Sequence, residues 1–221
     1  MPDVTKIALL DFDDVLFNTS AFSAASSRIF IDSGVSEKEH DEFYQRMRDD
    51  FKAQNKVYHR DDHIALFIKR FPEANTAFLK KNLDALHKTM PNFVYSDTSA
   101  FLKKLADAGW HRIILTFGND DWQKTKISLS GVGARVDEVV VSREASKVSD
   151  AENILKKSKN AEEIIFVDDN PYRALHAVKE KFPQVKTFQL IRPELEGVRE
   201  RYAGCDHDCR TLDEIQTLLL F

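Results

Sequence analysis

The chain has 221 residues, of which 43% are apolar and 31% are charged, a composition typical of a globular protein with one large domain or two small ones. Its formal net charge is -4 and no apolar run approaches the roughly 20 residues that cross a bilayer, so neither nucleic acid nor a membrane is an expected partner. Two cysteines are too few for a disulfide framework, and no secretory signal is visible, which together indicate a reducing cytoplasm.

The first predicted element is a buried strand over Lys6–Leu10 that ends in three carboxylates, Asp11, Asp13 and Asp14. Side chains at positions i and i+2 of an extended segment point the same way, so Asp11 and Asp13 can face one site. Two acids at one site suit a divalent cation, or a nucleophile with its acid/base partner. An acidic turn with no chemical role is the alternative at this point, because Asp is common in turns.

Residues 18–90 show helical periodicity and no convincing strand. Helices are predicted over Thr19–Asp32, Ser36–Gln54, Asp61–Phe71 and Glu73–Lys88. Ser36 with Glu39 resembles a capping box, which supports a helix start there. His59 and His63 could share a helix face as zinc ligands do, but no third ligand is in view and they are expected to be ordinary polar residues. We therefore predict an all-helical domain, residues 18–90, inserted after the first strand of a core formed by residues 1–17 and 91–221.

The rest of the chain alternates short apolar runs with helical patterns. Strands are predicted over Arg112–Phe117, Glu138–Ser142, Glu163–Val167 and Thr187–Ile191, and helices over Ser99–Ala108, Asp121–Ser130, Asp150–Lys157, Pro171–Lys181 and Thr211–Leu220. Cys205-Asp206-His207-Asp208-Cys209 is rich in potential ligand atoms, but it is interpreted as a turn before the last helix. Alternation of this kind predicts an α/β fold with a parallel sheet covered on both faces.

Polar residues follow each predicted strand, where the carboxyl ends of parallel strands share one edge and ligands bind. The first strand leads to Asp11 and Asp13, the second to Thr116, Phe117 and Gly118, the third to Lys147 and the fourth to Asp168 and Asp169. Placement just past the third strand selects Lys147, although charge alone does not exclude Lys156 or Lys159. We therefore expect hydroxyl, ammonium and two acid groups at one edge of the sheet.

These groups have complementary chemistry. The acids of the first and fourth strands can hold Mg2+, which prefers oxygen ligands. Thr116 and the amides of Phe117 and Gly118 can bind phosphate oxygens, and Lys147 supplies a cation for the same group. Asp11 is then available to attack phosphorus, and Asp13 to protonate the leaving oxygen and afterwards deprotonate water.

With these motifs in this order, the chain resembles the haloacid dehalogenase-like superfamily, in its phosphatase branch. Asp11-Phe12-Asp13-Asp14-Val15-Leu16 is similar to the first family motif, Thr116 to the second, Lys147 to the third and Asp168-Asp169 to the fourth. The resemblance implies a Rossmann-like core, Mg2+ dependence and a helical cap, of the C1 type, that closes over the substrate. It also implies that the metal ligands are Asp11, the backbone carbonyl of Asp13, and Asp168 or Asp169.

The expected function is Mg2+-dependent hydrolysis of a small phosphorylated metabolite through an aspartyl-phosphate, by a monomer or homodimer. Two alternatives stay open: a phosphomutase of the same family, and a non-catalytic phosphate-binding or regulatory module. A dehalogenase is the least expected, since members that remove halide lack an acid at the Asp13 position. One departure is Asp14, where family members usually have Gly; Asp tolerates a left-handed backbone, so the turn is expected to form.

Overall fold

The computed structural model describes residues 5–219, which form two compact units. One unit comprises the chain up to Asn18 together with the chain from Val94 onward, and the other is the intervening segment Thr19–Phe93. Within the described part of the chain, no helix has both the length and the apolar character that crossing a membrane requires.

The intervening segment is helical, with α1 at Thr19–Asp32, α2 at Glu37–Ala53, α3 at Arg60–Arg70 and α4 at Thr76–Lys88. The predicted capping box begins α2, since the Ser36 side chain accepts from the Glu39 amide while the Glu39 carboxylate accepts from the Ser36 amide. Helix α4 begins at Thr76 rather than at Glu73, because the side chain of Asn75 caps it by accepting from the Phe78 amide.

His63 belongs to the apolar core of this helical unit. Its ring stacks on Phe30 with 4.2 Å between ring centroids, and its Nδ1 atom lies 3.1 Å from the Tyr58 hydroxyl. Burial, reinforced by the neighbouring His40, lowers the pKa of His63 to about 3, so the ring is neutral near pH 7. Among residues 5–219, the side chains that lie close enough together to hold one metal ion are all aspartates, so neither His59 nor His63 belongs to that group.

The other unit is built on a parallel sheet. Among the described residues six strands form it, in the order β3-β2-β1-β4-β5-β6, where β1 is Lys6–Leu10, β2 is His111–Phe117, β3 is Glu138–Ser142, β4 is Glu163–Asp168, β5 is Lys186–Leu190 and β6 is His207–Cys209. Leu9 pairs with Ile113 on one side and with Phe166 on the other. All three are fully buried, as expected for a sheet covered on both faces. The predicted α/β, Rossmann-like fold is confirmed.

Helices follow the strands of this unit: α5 at Thr98–Asp107, α6 at Asp120–Leu129, α7 at Val148–Lys157, α8 at Ala177–Lys181 and α9 at Leu212–Leu218. The predicted helix over Pro171–Lys181 is interrupted, because Pro171–His176 forms a wider π-helical turn before α8. Asn170 caps that turn by accepting from the Arg173 amide.

The interpretation of the segment Cys205–Cys209 as a turn was wrong for its second half, because His207–Cys209 forms the edge strand β6. The segment is fixed beside β5 by Asp206, whose Oδ2 accepts from the Thr187 amide at 2.7 Å and from the Thr187 hydroxyl at 2.9 Å. A strand of three residues is too short for its hydrophobic alternation to be read from sequence.

Candidate active site

The sheet order places β1 at a topological switch point. From β1 the chain continues through β2 and β3 on one side of the sheet and through β4, β5 and β6 on the other. Open α/β sheets bind ligands beyond the carboxyl ends of the strands at such a point. The Asp11 amide donates to the Val167 carbonyl at 2.9 Å, so Asp11 is held beside the end of β4, where Asp168 lies.

A buried cluster of three carboxylates lies at this point. Oxygen atoms of Asp11, Asp168 and Asp169 all lie within 4.8 Å of one another, and each residue is at most 7% exposed. The Nζ atom of Lys147 lies 2.8 Å from Asp11 Oδ1 and 2.6 Å from Asp168 Oδ2. The other oxygen of Asp168 accepts from the Asn170 amide at 2.8 Å. The predicted acids of the first and fourth motifs are therefore brought together with the predicted lysine.

Lys147, rather than Lys156, is the lysine at this site. Lys147 is 3% exposed, adopts a left-handed backbone with φ of 59°, and immediately precedes α7. The Lys156 side chain is 69% exposed and pairs with Glu152 along the same helix. The left-handed residue ends the loop after β3 and turns the Lys147 side chain toward the acids.

Burial and the closeness of the carboxyl groups to one another raise the pKa values of two acids in the cluster, Asp11 and Asp169. Burial is the largest cause that raises the pKa of Asp11, to about 7, and Asp168 and Asp13 add to it while Lys147 opposes it. Burial and the charges of Asp168 and Asp11 likewise raise the pKa of Asp169, to about 8. Burial opposes the charge of Lys147, yet the two adjacent carboxylates raise its pKa above the ordinary value.

The residues present fit a divalent cation. Among residues 5–219, the acids Asp11, Asp13, Asp14, Asp168 and Asp169 pair here with Lys147, Lys126 and Arg199. Asp11, Asp168 and Asp169 each offer an oxygen within 4.8 Å of the others, and carboxylate oxygens are the hard donors that Mg2+ prefers.

The predicted phosphate-binding residues line the neighbouring strand end. Thr116 is buried at the end of β2, and its Oγ1 accepts from Gln123 Nε2 at 3.2 Å. The same Gln123 nitrogen donates to the Phe117 carbonyl at 2.8 Å. A Cβ atom at Gly118, where φ is +156°, would lie 2.9 Å from Gln123 Cγ. The close approach of the Gln123 side chain therefore favours glycine at position 118.

Two residues of α6 reach Asp13, and sequence reasoning missed both. Lys126 Nζ donates to Asp13 Oδ1, and Gln123 Nε2 donates to Asp13 Oδ2 at 2.7 Å. Gln123 and Lys126 are 3% and 5% exposed. A signal was present, since Gln123, Lys126 and the buried Ile127 follow helical spacing and polar residues thus occupy the inward face of α6.

Arg199, from the segment between β5 and β6, is the third residue that sequence reasoning missed. Its Nε atom lies 2.8 Å from Asp169 Oδ2, and its Nη2 atom lies 3.4 Å from Asp14 Oδ2. Asp14 adopts the expected left-handed conformation, with φ of 57°. Arg199 lies in a segment with little regular structure, so no hydrophobic periodicity could have pointed to it.

A doubly wound sheet that carries a buried carboxylate–lysine cluster at its switch point defines an α/β protein with a candidate site at the carboxyl edge of the sheet. A family model described as haloacid dehalogenase-like hydrolase matches residues 5–177, which is more than half of the chain. The chain therefore belongs to the haloacid dehalogenase-like hydrolases, as its motifs indicated. No curated protein sequence matches it significantly.

Similar solved structures share the fold at low sequence identity. A protein of Burkholderia xenovorans LB400 described as a haloacid dehalogenase-like hydrolase is 15% identical, with a TM-score of 0.73 over 96% of this chain and 97% of that one. The HAD-hydrolase YfnB of Bacillus subtilis, solved bound to magnesium, is 13% identical, with a TM-score of 0.66 over 98% and 99%. The L-2-haloacid dehalogenase of Xanthobacter autotrophicus is 14% identical, with a TM-score of 0.60 over 97% and 98%. At these identities the comparison shows a common fold and leaves the substrate open.

Proposed function

We propose that this hydrolase removes phosphate from a small phosphomonoester, with Mg2+ as cofactor and with Asp11 as the nucleophile. The observation that carries the proposal is the Asp13 carboxyl. Gln123 Nε2 bridges it to Thr116, on the side where the phosphoryl group is expected. A carboxyl group two residues after the nucleophile can supply the proton that an alkoxide leaving group needs.

The proposed reaction has two half-reactions. An Asp11 oxygen attacks phosphorus, the bond from phosphorus to the ester oxygen breaks, and Asp13, which enters this step protonated, gives its proton to that oxygen. Asp13, now a carboxylate, takes a proton from water; the water oxygen attacks phosphorus and the bond to Asp11 breaks, which releases inorganic phosphate. Asp11, Asp168 and Asp169, with the Asp13 carbonyl, would hold Mg2+, which when bound offsets negative charge on the phosphoryl oxygens.

The chain's own cations and amides orient the phosphoryl group. Lys147, 2.8 Å from Asp11 Oδ1, is close enough to contact a phosphoryl oxygen when the nucleophile attacks. Thr116 and the amides of Phe117 and Gly118 supply further donors at the end of β2. Phosphoryl transfer depends mostly on such positioning and charge stabilisation.

Dehalogenation is the second candidate function, because several similar structures are haloacid dehalogenases. A halide ion leaves without a proton, so the step in which the leaving group departs would give the Asp13 carboxyl no proton to transfer. A phosphomutase would use the same residues but return the phosphoryl group to the bound substrate, so that free phosphate would not accumulate.

The decisive experiment is a release assay with purified protein on a panel of phosphomonoesters and 2-haloacids. We expect inorganic phosphate, dependent on Mg2+ and abolished by EDTA, and no halide. Asp11→Asn should abolish release with the fold unchanged by circular dichroism, since an amide is a poor nucleophile. Halide release would support the dehalogenase, and substantial turnover by Asp11→Asn would refute the nucleophile assignment.

A further inference from the structure

Lys126 is a buried charge in a helix that carries none of the expected catalytic residues. Its side chain is 6% exposed, its Nζ donates to Asp13 Oδ1, and the ammonium lies 5.5 Å from the centre of the Phe12 ring. Burying a lysine ammonium is unfavourable unless a carboxylate pairs with it. The buried ammonium of Lys126 is therefore stabilised by its contact with the Asp13 carboxyl.

Gln123, one helical turn before Lys126, holds the other oxygen of the same carboxyl. Its Nε2 atom lies within hydrogen-bond distance of Asp13 Oδ2, Thr116 Oγ1 and the Phe117 carbonyl, at 2.7, 3.2 and 2.8 Å. A primary amide has two hydrogens for these three acceptors, so one contact is shared. Its Oε1 atom is buried and, among residues 5–219, has no hydrogen-bond partner. Packing alone does not account for a buried glutamine in this position.

We propose that Lys126 and Gln123 are positioning residues that fix the orientation of the Asp13 carboxyl relative to the phosphoryl-binding end of β2. The inference rests on the proposed phosphatase function and deepens it. Lys126 fixes Oδ1, and Gln123 ties Oδ2 to Thr116. Together they direct the carboxyl toward the leaving oxygen of a phosphoryl group bound at Thr116.

A positioning role for Lys126 predicts that the effect of its loss depends on the leaving group, which a purely structural role does not predict. A positioned proton donor matters for an alkyl phosphate, whose alkoxide leaves poorly, and little for p-nitrophenyl phosphate, whose phenolate leaves without a proton. Loss of Lys126 should therefore lower kcat/KM for an alkyl phosphate much more than for the aryl ester. The ratio kcat/KM reports the half-reaction in which the leaving group departs.

The test compares Lys126→Met with wild type on p-nitrophenyl phosphate and on the best alkyl phosphate of the panel, both with Mg2+. We expect kcat/KM for the alkyl ester to fall about tenfold or more beyond any fall for the aryl ester, a part of the range general acid catalysis supplies. Lys126→Arg should restore part of the loss, because arginine can donate to the same oxygen. Lys124→Met, on the same helix but 58% exposed and paired with Asp120, is the matched control and should behave as wild type.

Gln123→Met provides an independent readout if Lys126→Met does not fold, because it removes the amide donors and keeps the length of the side chain. It should show the same dependence on the leaving group. Equal losses on the two esters, or no loss in either variant, would overturn the positioning role while the proposed function stands. Failure of the wild type to release phosphate from any ester would overturn the proposed function itself.

Discussion

Asp14 is the residue at which the first motif departs from the family resemblance, and the structure shows how the departure is accommodated. Its φ of 57° is one that glycine adopts freely and that Asp tolerates better than most residues. The additional carboxylate is buried and lies 3.4 Å from Arg199 Nη2. Arg199 also pairs with Asp169, so one guanidinium contacts both the extra acid and a candidate metal ligand.

We predict that Asp14→Gly strengthens the binding of inorganic phosphate in the presence of Mg2+, because it removes a negative charge beside the phosphoryl site. One such charge is worth on the order of 1 kcal/mol, about fivefold in Kd. Isothermal titration with phosphate measures the effect. Asp14→Asn is the matched control, since Asn also tolerates the left-handed turn and carries no charge. If Asn leaves phosphate binding unchanged while Gly alters it, the turn and not the charge is responsible.

At the scale of single elements, the segment between β5 and α9 depends on Asp206. Its carboxylate accepts from the amide and hydroxyl of Thr187, and Lys179 Nζ pairs with it at 2.7 Å. Asp208, two residues later, pairs with Arg201 at 3.4 Å between side chains that are about half exposed. Asp206 is therefore expected to stabilise this segment more than Asp208 does.

We expect Asp206→Ala to lower the free energy of unfolding by about 1–3 kcal/mol, because it leaves a buried hydroxyl and a backbone amide of β5 without their acceptor. Asp208→Ala should change it by less than about 0.5 kcal/mol, as exposed ion pairs contribute little. Urea unfolding of the full chain measures both. Similar values for the two variants would mean that side-chain hydrogen bonding is not what holds β6 against β5.

The elements that sequence predicted well are those with a strong local signal. β1 has an apolar run bounded by acids, and α2 has the Ser36–Glu39 capping box, so both lie where predicted. Edge strand β6 has three residues, held through Asp206 by partners far along the chain, and no local pattern reports such contacts. The π-helical turn at Pro171–His176 is likewise invisible, because its residues follow the same cap and proline signals as an ordinary helix.

The same contrast applies to the candidate site as a whole. Asp11, Thr116, Lys147 and Asp168 each lie at or beyond the carboxyl end of a strand, so topology alone predicts that they meet. Lys126 and Arg199 reach the site from a helix face and from an irregular segment, and their positions depend on tertiary packing. Sequence therefore predicted which groups cluster at the strand ends, and the structure added Lys126 and Arg199, which pair with the acids there.

At the scale of the whole molecule, the acid cluster links stability to pH and to metal. Asp11 and Asp169 have pKa values raised to about 7 and about 8, well above the 3.8 of an exposed Asp. Between pH 3.8 and these values the folded chain binds more protons than the unfolded chain, so the free energy of unfolding of the metal-free protein falls as pH rises through this window. The cost is that of holding these buried and mutually repelling carboxylates ionised.

Mg2+ should relieve that cost, and it competes with protons for the same oxygens. We therefore predict that saturating Mg2+ raises the melting temperature of the full chain by several degrees above about pH 8 and by much less below about pH 6. Differential scanning calorimetry with and without Mg2+ measures the two shifts. Asp169→Asn should diminish the shift at high pH, whereas Asp208→Asn, outside the cluster, should leave it intact. A shift of equal size at both pH values would mean that Mg2+ stabilises the protein at carboxylates other than Asp11 and Asp169.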